Sequence, residues 1–299
     1  MSPDQELEDR VRELAFRVRR PVNELLHGAY ASRFHGSGLE FAEMREYVPG
    51  DDVRQIDWNA TARSGRTFVK QHVEERNLSV AFVVDVSASS GFRADDVSRL
   101  ERFAELVGLL GFCAQRHRDR CGLVLATDRV EQVVMPANGA AHVRHLMGRV
   151  LQPDAQSPGS DLRPALRSVD SLLRRRGLVF VLSDFLLPAP VPELGTLANR
   201  HQVSGIQWLD ELEKQGPAGG LFRIIDPERG RVQALDGRDR QTCVGWSGAR
   251  QQQIALARSW FDQAGADFLS LPAREDPAEA LHRWFHGMAL PAGEQGGVG

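Results

Sequence analysis

Lysine is nearly missing from this 299-residue chain: Lys70 and Lys214 are the only two, and the other 35 of the 37 basic residues are arginine, which reads as coding bias. Set against 40 acidic residues, the basic set leaves a net charge of -3, which argues against a general nucleic-acid coat protein. Cysteine is scarce and scattered. Cys113, Cys121 and Cys243 form no C-x-x-C pair and lie in apolar segments, the pattern of reduced, buried thiols in a cytoplasmic protein. No uncharged apolar run approaches the roughly 20 residues of a membrane span. The first twenty residues alternate Glu, Asp and Arg with Leu and Val, an amphipathic helix rather than a signal peptide. The chain is therefore expected to be soluble and cytoplasmic, without a membrane span. No G-x-x-x-x-G-K-[ST] occurs and no G-x-G-x-x-G follows a strand, so no phosphate-cradling loop is legible. His282 and His286 have zinc-protease spacing, but Arg283 stands where the glutamate base would be, and His142 with His145 lacks a third ligand.

What is there divides near residue 77. Apolar residues Leu7, Val11, Leu14, Val18 and Leu25 predict one helical stripe over about 5–26, ended or kinked by Pro21. Residues 28–76 are rich in Gly and charge, with extended pieces expected at Leu39–Phe41 and Thr67–His72. From 78 onward the texture changes to short Val-rich runs alternating with amphipathic stretches. Strands are predicted at Leu78–Val84, Cys121–Ala126, Arg129–Met135, Leu178–Leu182, Val203–Trp208, Leu221–Ile225 and Asp267–Leu271. Helices are predicted at 97–116, 139–151, 162–174, 191–199, 249–264 and 277–287, and 288–299 reads as a flexible tail. The alternation implies an α/β fold: an open, mostly parallel sheet with helices on both faces, plus an irregular N-terminal segment. Such sheets bind ligands beyond the carboxyl ends of their strands, where strand order reverses. Asp85 and Asp184 both stand at predicted carboxyl ends.

Asp85-Val86-Ser87-Ala88-Ser89 is D-x-S-x-S directly after the first buried strand. Alternate residues on a turning loop can aim one carboxylate and two hydroxyls at a common point, and hard oxygens suit Mg²⁺ or Mn²⁺. Ser160 (or Asp161) before a helix and Asp184 after a strand are the candidates to complete the shell. A strand-end Asp or Ser is also an ordinary helix N-cap. Like-charge repulsion is expected among Asp85, Asp161 and Asp184, so that Asp184→Ala would preserve the fold and even stabilise it without metal. Over roughly residues 78–210 the pattern resembles the von Willebrand factor A domain and its metal-ion-dependent adhesion site. By that resemblance Asp85, Ser87 and Ser89 are the first motif, Ser160 takes the usual threonine position and Asp184 is the late aspartate. Ser90 departs from the common methionine.

A second signature runs through Gly36-Ser37-Gly38-Leu39-Glu40-Phe41, then Arg45-Glu46-Tyr47-Val48-Pro49-Gly50-Asp51-Asp52-Val53-Arg54, Ile56-Asp57-Trp58, Ala62-Arg63 and Glu74-Glu75-Arg76. With the D-x-S-x-S loop, Gly122, Ser183-Asp184-Phe185 and Arg200-His201, it resembles the bacterial domain-of-unknown-function 58 family. That resemblance implies a partnership with a MoxR-type AAA+ ATPase and its client in assembly, maturation or stress systems. Pro49-Gly50 signals a turn. Asp51, Asp52 and Asp57 alternate with Arg45, Arg54 and Arg63, a density that usually forms paired networks. Trp58 and Tyr47 are expected to seal that network against the sheet as a structural clamp, with a partner-binding surface as the alternative. A metal-dependent adaptor is the function favoured over a metal-dependent hydrolase of phosphoesters or peptides, because no nucleophile sits in a base-paired setting.

Overall fold

The structure, a computed structural model, describes residues 3–35, 43–49, 51, 53, 56–71, 77–91, 97–187, 190–210, 216, 219–225 and 232–287. Helix α1 (Pro3–Pro21) carries acids in its first turn and arginines in its last, as the helix dipole favours. At Pro21, which has no N–H to donate, the register widens into π turns at Val22–Leu26 and Ala31–His35 that flank a short α2 (His27–Tyr30). The wider turn rotates the apolar stripe. Val11, Leu14, Val18, Val22 and Leu26 are buried, whereas Leu25, expected on the stripe, is exposed.

Strand β1 (Glu43–Glu46) pairs antiparallel with β2 (Phe68–Gln71), and α3 (Trp58–Ser64) lies between them in sequence. The piece expected at Leu39–Phe41 lies outside the described residues. There follow β3 (Ser79–Asp85), α4 (Arg99–Arg116), β4 (Arg120–Ala126), β5 (Val130–Ala137), α5 (Ala140–Leu151) and α6 (Arg163–Leu172). Then come β6 (Leu178–Ser183), α7 (Glu193–Arg200), β7 (Gln202–Leu209), β8 (Leu221–Ile225), β9 (Val232–Asp236), α8 (Arg240–Ala264), β10 (Asp267–Pro272) and α9 (Pro277–Phe285). The main sheet has the order β10-β7-β6-β3-β4-β5. Every pairing in it is parallel except β4 with β5, because Thr127–Arg129 is too short for a crossover. Strand β8 does not join it, contrary to the expected alternation: it forms a separate antiparallel hairpin with β9.

Period-2 alternation divides β3 between two cores. Val80, Phe82 and Val84 meet α1, α4, α5 and α9, while Ala81 and Val83 meet α6, α7 and α8. Helix α4 starts on the Ser98 hydroxyl, which accepts the Glu101 N–H at 3.2 Å. It was expected to bury one side; α1 and α5 cover its outer face as well, with Val18 and Met147 against Gly108 and Val143 against Gly111. Each fully buried Leu, Val or Phe there contributes roughly 1.5–3 kcal/mol.

The N-terminal segment is fastened at the amino-terminal ends of β3 and β4 by a histidine cluster around Asp119. Asp119 is fully buried. It accepts the Leu78 N–H (2.8 Å) and the Tyr30 hydroxyl (3.3 Å), and meets His35 Nε2 at 2.9 Å. His27 stacks on His117 with ring centroids 4.5 Å apart, and His35 lies 4.9 Å from His117. Burial, reinforced by Arg116 at His27 and by the neighbouring histidines at His117, holds both imidazoles below their ordinary pKa. At these two histidines the folded chain therefore binds fewer protons than the unfolded one below pH about 6.5, so their contribution to stability is lost as pH falls through the folded values. Urea midpoints at pH 7.5 and 5.5 check this: wild type should lose stability on acidification, and the loss should be smaller in a His27→Phe/His117→Phe chain. Equal losses would refute it.

Candidate metal and interaction site

Strands β3 and β6 are neighbours, yet the chain leaves β3 toward β4 on one side and reaches β6 on the other. Their carboxyl ends therefore flank the switch point, where no crossover helix fills the crevice. Asp85 ends β3, fully buried. Its Oδ1 accepts the Ser87 N–H (3.0 Å), and its backbone oxygen accepts the Ser90 hydroxyl (2.8 Å), which ties the turn back onto the strand. The methionine position of the adhesion-site pattern is thus filled by a side chain that caps the loop.

Ser160 arrives on a separate loop. Ala88 N–H donates to the Pro158 carbonyl (3.0 Å) and Asp161 N–H to the Thr127 carbonyl (3.0 Å). Glu131 Oε1 accepts from the Thr127 hydroxyl (2.6 Å) and the Ser157 N–H (3.2 Å), which braces the same loop. Ser160 Oγ then donates to Asp85 Oδ2 at 2.9 Å, and Ser183 Oγ to the same atom at 2.8 Å. Ser87 Oγ and Ser89 Oγ are 3.1 Å apart. Of the pair Ser160 and Asp161, it is Ser160 that meets Asp85, whereas Arg163 holds Asp161 at 2.6 Å and lowers its pKa, chiefly through those hydrogen bonds. Asp161 is not part of the carboxylate cluster.

Asp184 follows β6. Its Oδ2 accepts from Arg99 Nη1 (2.7 Å) and its Oδ1 from the Leu186 N–H (3.0 Å). The next residue, Phe185, has φ 53°, left-handed backbone that costs a non-glycine roughly 1–2 kcal/mol. It is held there by its N–H on Ser183 Oγ (2.9 Å) and by its ring against Phe261 and Phe268, each with centroids 5.3 Å away. Gln207 donates to the Asp184 carbonyl (2.7 Å) from β7. The Asp85 carboxyl is pushed above its ordinary pKa, first by burial and second by the charge of Asp184, against the lowering effect of its hydrogen bonds.

The donor set suits a hard divalent cation in its chemistry: the carboxylates of Asp85 and Asp184 and the hydroxyls of Ser87, Ser89 and Ser160 are all hard oxygens. No group of three or more His, Cys, Asp or Glu side chains suited to a metal occurs among the described residues, so a cation here would depend on the serine hydroxyls. All five predicted metal residues, Asp85, Ser87, Ser89, Ser160 and Asp184, are brought to the switch point. Sequence reasoning missed Arg99 and the role of Ser183. Ser183 adjoins Asp184 at a strand end and was within reach of the same argument, whereas one arginine among 35 carries no local signal.

The Pro-Gly-Asp-Asp signature behaves differently. Asp57 is the N-cap of α3, accepting from Asn59 N–H (3.0 Å) and Ala60 N–H (3.1 Å). Asp51 accepts the Val48 N–H at 2.9 Å. An ion pair formed in this region is Arg66 with Glu46 at 2.7 Å, while Arg63 is exposed and makes no ion pair among the described residues. Asp52, Arg54, Gly50, Glu74–Arg76 and the Arg45 side chain lie outside the described residues. Trp58 corrects the expectation of a sealing indole: it is 68% exposed. In 43–71 the buried hydrophobic side chain among the described residues is Val69. Trp58→Ala is consequently expected to change stability by no more than about 0.5 kcal/mol, as at other exposed positions. A thermal melt checks it, and a loss of several degrees would restore the clamp.

The description "Protein of unknown function DUF58" matches residues 43–255. An uncharacterized protein of Mycobacterium tuberculosis is 30% identical over 279 residues, covering 91% of this chain and 87% of the relative, and one of Mycobacterium bovis matches to the same extent. Among solved structures, the conserved hypothetical protein BatB from Bacteroides thetaiotaomicron superposes with a TM-score of 0.49 at 15% identity, over 71% of this chain and 98% of that one. With a family match over more than two thirds of its length, the chain belongs to the DUF58 family.

Proposed function

We propose that the chain is a cytoplasmic, metal-dependent protein-interaction adaptor with a von Willebrand factor A-like site, working with a MoxR-type AAA+ ATPase and its client. Asp85, Ser87, Ser89 and Ser160 would hold Mg²⁺ (or Mn²⁺), with Asp184 beside them. The observation that carries the reading is the meeting at the buried Asp85 carboxylate of the Ser87–Ser89 turn, the Ser160 loop and Ser183 at the end of β6. A bound Mg²⁺ would supply a Lewis-acidic position open to a partner carboxylate. The chain's own residues do the positioning: Ser90 and the Ser87 N–H shape the turn, and Glu131 and Thr127 hold the Ser160 loop. Binding is favoured over turnover because the hydroxyls of Ser87, Ser89, Ser160 and Ser183 are engaged with one another or with Asp85. None of them is hydrogen-bonded to a histidine among the described residues. Among those residues no helix is long and apolar enough to cross a membrane.

The test is capture of the AAA+ ATPase by the immobilised full chain. Capture is expected in Mg²⁺, and should be lost in EDTA and with Asp85→Ala. Capture that persists in both, or phosphodiesterase turnover that vanishes with Asp85→Ala, would overturn the adaptor reading.

A further inference from the structure

Arg99 is the first residue of α4, an unfavourable place for a cation because the helix N-terminus is itself positive. Its reason for being there lies in what it bridges. Nη1 donates both to the Ser89 carbonyl oxygen (2.8 Å), in the turn after β3, and to Asp184 Oδ2 (2.7 Å), after β6. The two side chains of the pair are each 1% exposed, so the guanidinium is a permanent buried charge inside the candidate site. Asp184 has its second oxygen on the Leu186 N–H, and the serine hydroxyls turn to Asp85 and to one another.

We infer that Arg99 is a positioning residue that sets the charge of the site, and that Asp184 acts on a bound cation as the counter-ion of Arg99 rather than as a ligand. The inference rests on the proposed ion site and deepens it. It assigns opposite consequences to the two halves of one pair. Removing the guanidinium makes the site more negative by one charge, removing the carboxylate makes it less negative by one, and removing both leaves its charge as it was. A ligand role for Asp184 makes a different demand: the double change would then weaken binding as much as loss of Asp184 alone.

Mn²⁺ binding to the full chain by calorimetry, with thermal melts in EDTA and in Mn²⁺, separates these. Arg99→Gln should tighten Mn²⁺ by about tenfold or more and Asp184→Asn should weaken it by about tenfold or more, the scale of one poorly screened charge. Arg99→Gln/Asp184→Asn should stay within about threefold of wild type, since the two changes cancel in charge. The melts should follow the same order, with the largest Mn²⁺-induced rise for Arg99→Gln. If a single variant does not fold, wild type against the neutral, amide-paired double variant still decides. A double variant that binds about tenfold more weakly than wild type makes Asp184 a ligand and overturns the inference. Equal affinities in all folded variants, Arg99→Gln included, overturn the charge role of Arg99 and leave the ion site standing. No Mn²⁺ bound by wild type but binding by Arg99→Gln removes the proposed ion site from the native chain and supports the charge role. No binding by any form removes both.

Discussion

Asp184→Ala should lower stability by about 3–5 kcal/mol, the cost of breaking a fully buried ion pair by deleting one partner. This reverses the expectation drawn from like-charge repulsion. Asp161 is turned away to Arg163, and the nearest opposite charge to Asp184 is the Arg99 guanidinium at 2.7 Å. A chain of this kind has a total stability of only about 5–15 kcal/mol, so the loss would be plain in a urea titration. The change would also release the Ser89 loop, because the guanidinium that holds the Ser89 carbonyl is the one Asp184 anchors. Arg99→Met/Asp184→Leu, which replaces both charges with apolar groups, should cost far less than the two single changes together. A single Asp184→Ala variant with an unchanged urea midpoint would show that the pair contributes nothing.

Gly205→Ala should cost about 1–3 kcal/mol or more, as inserted methyl groups do in a close-packed core. Gly205 sits in the middle of β7, and a Cβ there would lie 2.5–2.9 Å from three ring atoms of Phe261. That ring, on α8, is fully buried and packs against the rings of Phe185 and Phe268. It also stands edge-on to Phe185, the left-handed residue that directly follows Asp184. Damage should therefore reach the switch point, weakening Mn²⁺ binding together with the loss of stability. Phe261→Leu introduced with Gly205→Ala should restore much of both, because the smaller side chain vacates the contested volume. A Gly205→Ala chain as stable as wild type would mean that α8 slides freely on the sheet.

By itself, the sequence determined the alternation of strands and helices from residue 78 onward. Val-rich runs such as 78–84 and the 3.6-residue stripe of α4 report burial locally, through side-chain spacing. It also determined that Asp85 and Asp184 stand at the carboxyl ends of strands, one as the last residue and one just after it, and that Ser87 and Ser89 follow Asp85 on one turn, since adjacency in the chain brings those about without any partner. It did not determine that β8 leaves the sheet, nor that Pro21 widens the helix and turns Leu25 out to solvent. Nor could it pair Arg99 with Asp184, 85 residues apart, or leave Trp58 exposed where a charged, aromatic signature suggested a closed clamp. Those outcomes depend on which strands become neighbours and how much surface covers each segment. The order β10-β7-β6-β3-β4-β5 is what lays the loops after β3 and β6 side by side, and strand order leaves no trace in the spacing of residues along either strand.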